Sequence, residues 1–208
     1  MDASPLSGAP GLPRCDEFVD RNKKISLKIL WPEEGAPSVA LTVNGIKAFD
    51  GIIEGGGGPA AGVESYTADL NADGRADCVI FMGSGGCGLA AHKTRITFLL
   101  SSPAGYTSRG TVSYNVDPND CVDIKGRAYW LRNSFVFGEA GKDRKAHNYW
   151  VYDLLRFSEA ELVPDNNGEG ALPKWVLYSF DSNHRDTDQL TAEQRMRLWR
   201  QQVDLGPR

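Results

Sequence analysis

The chain reads as a mainly β protein, a β-rich α+β fold of antiparallel sheets with one C-terminal helix. Three observations predict this. Alternating apolar and polar residues recur in short runs, as in "KISLKILW" at 24–31 and "SVALTV" at 38–43; a two-residue period sends successive side chains to opposite faces of a sheet. Asn44-Gly45 stands between two such runs, and Asn-Gly tolerates the positive φ angles of a type I′ hairpin turn. A helix start signal comes only near the end of the chain. Thr191-Ala-Glu-Gln194 has the form of a capping box, in which the hydroxyl and the amide side chain satisfy exposed backbone N–H groups reciprocally.

The elements follow in order. "MDASPLSGAPGLPR" is rich in Pro, Gly and Ser, so residues 1–14 are expected to form a disordered tail. Residues 15–208 are expected to form a single domain. Its strands are placed at 24–31, at 38–51 as a hairpin, at 77–82 ("DCVIFM") and at 93–101 ("KTRITFLLS"). "TSRGTVSYNV" suggests a hairpin turning at Arg109-Gly110. Long strands at 126–139 and 148–157 flank a polar connector, 158–173 reads as loop, and 174–180 as a last strand. The helix runs from Thr191 to about Val203. "IIEGGGGPAAG" at 52–62 is a glycine-rich loop without the G-K-[ST] ending of a phosphate-binding P-loop.

Composition narrows the functional classes. With 208 residues and 41% hydrophobic content the chain can bury a sizeable core. A net charge of −4 argues against nucleic acid and polybasic membrane binding. No apolar run is long enough to span a bilayer as a helix. The four cysteines, Cys15, Cys78, Cys87 and Cys121, match no zinc spacing. They permit three pairings; the favoured one is Cys78–Cys87, stapling a short loop, with Cys15–Cys121 tying down the N-terminal segment. Four free thiols are the alternative. Disulfides require an oxidising compartment, so the expectation is a periplasmic or secreted protein whose export signal lies outside the sequence.

The most informative stretch is "DLNADGRADCVI" at 69–80. Calcium takes six to eight oxygen ligands in flexible geometry. Counting from Asp69, oxygen donors fall at positions 1, 3 and 5 (Asp69, Asn71, Asp73), Gly74 allows a sharp turn at 6, Arg75 offers its carbonyl at 7, and Asp77 stands at 9. Three carboxylates this close repel one another unless a cation intervenes. Position 12 is Ile80 rather than the bidentate glutamate of an EF-hand, and the segment after the loop reads as a strand. The loop resembles the D-x-[DN]-x-D-G-x-x-D calcium loops of FG-GAP and VCBS-type repeats, over residues 67–81 only. That resemblance implies bound calcium, a loop leading directly into a strand, and a secreted or surface location. It occurs once, so the multi-bladed propeller of many such proteins is not implied.

Catalytic constellations are weak. "GSGGCG" at 83–88 offers Ser84 or Cys87 as nucleophile, glycine N–H groups as an oxyanion hole and His92 as base. There is no G-x-S-x-G elbow, and a tight turn needs the same residues. Aromatic residues crowd 129–180; among them Trp130, Trp150 and Trp175 are candidates for an exposed binding surface. The leading expectation is a calcium-clamped, non-enzymatic protein that binds another protein, such as an immunity protein or inhibitor neutralising a secreted toxin. A carbohydrate- or cell-wall-binding module is the alternative, and a hydrolase centred on Cys87 or Ser84 with His92 a further one.

Overall fold

The computed structural model describes residues 2–5, 14–53, 62–124, 126–140, 146–165 and 175–179. Fourteen strands are defined among them, β1 (Asp2–Pro5), β2 (Arg14–Asp20), β3 (Ile25–Trp31), β4 (Ser38–Val43), β5 (Ile46–Ile52), β6 (Val63–Ala68), β7 (Asp77–Gly83), β8 (Lys93–Ser102), β9 (Gly105–Tyr114), β10 (Cys121–Ile124), β11 (Arg127–Ala140), β12 (Ala146–Ser158), β13 (Glu161–Pro164) and β14 (Trp175–Ser179). The only helical elements described are 3₁₀ turns at Gly88–His92 and Pro118–Asp120. None is long and apolar enough to cross a membrane. The expected C-terminal helix, with Thr191 and Gln194, lies outside the described residues.

Chain contacts divide the protein into two compact units, residues 1–112 with 158–161, and residues 113–157 with 162–208. The first contains two sheets. One runs in the order β1-β2-β3-β4-β5 and the other β6-β7-β8-β9. The alternation predicted for 24–31 is realised in β3, where Ile25, Leu27, Ile29 and Trp31 are buried and the residues between them are not. They join Val39 and Leu41 of β4 in one core with Cys78, Ile80 and Met82 of β7 and Leu99 of β8. The two sheets thus share an apolar layer, as in a sandwich. β7 does not alternate: Asp77 through Met82 are all buried, the pattern of a strand covered on both faces.

Local chemistry explains the turns. Asn44 and Gly45 have φ of 52° and 78°, the two positive angles of a type I′ turn. The structure moves one expected hairpin. Residues 105–114 form the single strand β9, and the chain reverses before it, where Gly105 takes φ 121°. Gly110 stays extended, so Arg109-Gly110 makes no turn. Part of the expected tail is ordered as well. Asp2–Pro5 pairs antiparallel with Asp16–Val19. Within the expected loop at 158–173, Glu161–Pro164 forms β13.

Beside this core, Asp16 is only 5% exposed. It accepts from Trp31 Nε1 at 2.8 Å and from Arg14 Nε at 2.9 Å, so its charge is paired and both oxygens are used. The second unit holds the remaining sheet, β10-β11-β12-β13, with β14 also paired to β12. Its core includes Val122, Tyr129, Leu131 and Leu154. Arg132 forms a two-pronged pair with Asp153 across β11 and β12 at 2.9 and 2.6 Å.

Candidate functional site: the acidic loop

The loop between β6 and β7 is organised by its own side chains. Asp69 Oδ1 accepts from Asp73 N at 3.1 Å and Oδ2 from Gly74 N at 3.0 Å. Asn71 Oδ1 also accepts from Asp73 N, at 3.2 Å. Side-chain oxygens of residues 69 and 71 therefore meet at one amide. Asp73 Oδ1 accepts from Arg75 N at 2.9 Å, and both its oxygens accept from Ser101 Oγ, at 3.0 and 2.9 Å. These are Asx-type bonds that bend a backbone sharply. Ala72 (φ 60°) and Gly74 (φ 80°) supply the two left-handed residues that the bend needs; glycine adopts that region freely, alanine at a cost.

Asp77 has a different task. It is wholly buried, and its oxygens accept from Leu70 N and Ser101 N, both at 2.7 Å. It ties the start of the loop to the end of β8. Burial raises its pKa, against the lowering effect of those backbone bonds. Asn71 extends the tie, donating through Nδ2 to Ser101 O at 2.7 Å and to Glu159 O at 3.0 Å. The Arg75 guanidinium turns to Ser102 O at 2.6 Å. Tyr106 closes the far side, its hydroxyl donating to Ala76 O at 2.8 Å. Burial pushes that phenol up to about 12.

The structure thus brings Asp69, Asn71, Asp73 and Arg75 into one loop, with Asp77 turned inward beneath it. Among the described residues, no three Asp, Glu, His or Cys side chains are gathered closely enough to hold a metal ion. Two acids and one amide are what the loop gathers on its outer side. Sequence reasoning missed Ser101, which donates through its backbone N–H to Asp77 and through its hydroxyl to Asp73. It sits 24 residues beyond Asp77, so only the pairing of β7 with β8 brings it there.

The other expected sites fare differently. Neither expected disulfide is formed, and all four cysteines are free thiols. Cys78 points into the core of the first unit, where burial pushes its thiol up to about 12. Cys87 is exposed, on the turn that follows β7. Cys15 and Cys121 are half-buried on β2 and β10, strands of different units. Burial pushes the Cys121 thiol up to about 11. The expected Cys78–Cys87 staple of a short loop is not made, because β7 gives Cys78 an apolar place of its own in the core. Trp130 is not a binding platform: it is 1% exposed, among the largest fully buried side chains. The side chains of Trp150 and Trp175 lie outside the described residues. In the "GSGGCG" turn, Ser84 Oγ accepts from Gly86 N at 3.3 Å, a local turn bond, and His92 is exposed.

No protein-family model, no curated protein and no solved structure matches this chain.

Proposed function

We propose that the chain is a non-enzymatic, extracytoplasmic binding protein whose first unit is clamped by calcium on the 69–77 loop and which acts by docking another protein. Uncompensated charge carries the calcium reading. Asp69, Asp73 and Asp77 lie within nine residues, and among the described residues they meet backbone N–H groups and one hydroxyl instead of a Lys or Arg. A carboxylate oxygen that accepts one N–H keeps a second lone pair for a cation. Asp69 and Asp73 are exposed, so their carboxylates can turn toward an ion without disturbing the core. In this reading Asp69, Asn71 and Asp73 supply side-chain oxygens and Arg75 its carbonyl. Asp77 fixes the loop from behind. Calcium tolerates such an irregular oxygen set, completed by water.

The test is thermal unfolding of chelator-stripped protein with and without about 2 mM calcium, a level at which weak extracellular sites fill. Calcium should raise the midpoint, and Asp73→Ala should lower it only when calcium is present. An equal drop in chelator would count against the site.

The docking reading is supported by β5, which ends its sheet. Ile46 and Ile52 on this strand are 72% and 74% exposed. A sheet edge offers backbone groups to an incoming strand, and alternate side chains give specificity. The net negative charge favours a basic partner. The concrete form is an inhibitor or immunity protein that neutralises a secreted toxin. Pull-down from a periplasmic extract with wild-type and Ile52→Lys baits tests it. A partner retained by the first and lost by the second supports the reading; recovery of the same proteins by both sinks it.

A further inference from the structure

A cleft of about 670 Å³ opens in the first unit beside the acidic loop. That volume is within the range of small-molecule sites, roughly 300–1,000 Å³. Its apolar wall includes Ile25, Val43 and the Tyr106 ring; its polar rim includes Lys23, Arg75 and Asp69. We propose that this cleft binds a small soluble amphiphile, an apolar body carrying one anionic group, held by Arg75 and Lys23.

The hydrogen-bond inventory favours an anion. Arg75 has five N–H donors and Lys23 three. Arg75 spends one on Ser102 O, and Lys23 two, on Thr67 O and Oγ1, both at 2.9 Å. Neither makes an ion pair among the described residues, so donors remain on both. Among the residues lining the cleft these two cations face a single acid, Asp69, each of whose oxygens accepts one loop N–H, from Asp73 and Gly74. The lining therefore carries more positive than negative charge. A carboxylate or sulfonate fits that imbalance, and the planar guanidinium can grip it in two-pronged fashion. The apolar wall is firmly set. Ile25, buried in the core, backs it, and the Tyr106 hydroxyl is fixed on Ala76 O.

The site does not depend on calcium, and its test is run in chelator. The probe is 1-anilinonaphthalene-8-sulfonate, compared with N-phenyl-1-naphthylamine, which has the same apolar body without the sulfonate. Fluorescence titration of the full chain should show one saturable site for the sulfonate, with the neutral analogue about tenfold weaker, as loss of a charge-assisted bond implies. Arg75→Met and, separately, Lys23→Met should each weaken the sulfonate several-fold and leave the neutral probe unchanged. Both residues are exposed, so the fold is spared, and the Arg75 carbonyl is retained. Val43→Trp should fill the cleft and abolish binding of both probes. Equal affinity for the two probes, or sulfonate binding unchanged in both Met variants, overturns the proposal.

Discussion

Asp77 shows how a single side chain can set a loop. Each of its oxygens receives one backbone N–H, from Leu70 and Ser101. Asp77→Asn would turn an amide NH₂ toward one of those donors and leave it unsatisfied in a buried place. The expected loss is about 1–3 kcal/mol in denaturant unfolding; a loss below about 0.5 kcal/mol would show that the ties are dispensable. The pH dependence has a definite sign. Burial holds the Asp77 carboxyl above its usual value, so its contribution is greatest while it is protonated, below the ordinary aspartate pKa of about 4. That contribution is lost as pH rises through the raised native value. Asp20 has the opposite sign. Its bonds from Lys23 N and Thr67 Oγ1 hold it low, so it favours folding above its ordinary value and loses that effect as the solution is acidified through its native pKa. NMR titration of the two carboxyls should show them displaced in opposite directions, and a common displacement would refute this account. The thiols order themselves similarly. A soluble thiol reagent at pH 8 should label exposed Cys87 first. Cys78, buried and pushed up to about 12, should react only on unfolding. Rapid native labelling of Cys78 would contradict its placement in the core.

At the scale of elements, the turn at Asn44-Gly45 fixes which residues of β4 and β5 pair. Gly45 sits at φ 78° with open space around its missing Cβ, so Gly45→Ala meets no clash and the cost is purely conformational. About 1–2 kcal/mol is expected, read as a lowered urea midpoint with unchanged slope; no change would mean the turn does not limit stability. This hairpin was legible because its dipeptide and its flanking alternation act locally. β3 was legible for the same reason, with one face buried and one open. β7 was recognisable from its continuous apolar run. The β9 turn was not: "TSRGTVSY" contains an Arg-Gly that could bend, and only the neighbouring β8 decides that Gly105 bends instead. β13 was hidden among polar residues at 158–173, its identity set by pairing in the sheet. The candidate site divides in the same way. Asp69, Asn71, Asp73 and Gly74 could be read from spacing, since the bonds that shape their turn reach at most five residues. The inward turn of Asp77 and the part played by Ser101 could not, because they depend on a strand pairing that spacing does not encode.

For the whole molecule, the chain path matters more than any one of the three sheets. It leaves the first unit after residue 112 and returns to it at 158–161. The return is held by Arg109, which pairs through Nε with Glu161 at 3.0 Å, and by the Glu159 carbonyl that receives Asn71. A chain ending at residue 157 lacks both. Its amides at 71–75 should exchange with deuterium faster than those of the full chain, while those of β3 and β4 should not change. Equal protection of the loop in both chains would show the return segment to be irrelevant to it. The same bond has a consequence in time. Asn71 and Glu159 are separated by 88 residues, which a ribosome adding about 5–20 residues per second needs on the order of ten seconds to cross. Through that interval the acidic loop exists with one of its anchors not yet synthesised. The loop precedes its anchor in the chain, yet it is among the last parts of the first unit to be completed.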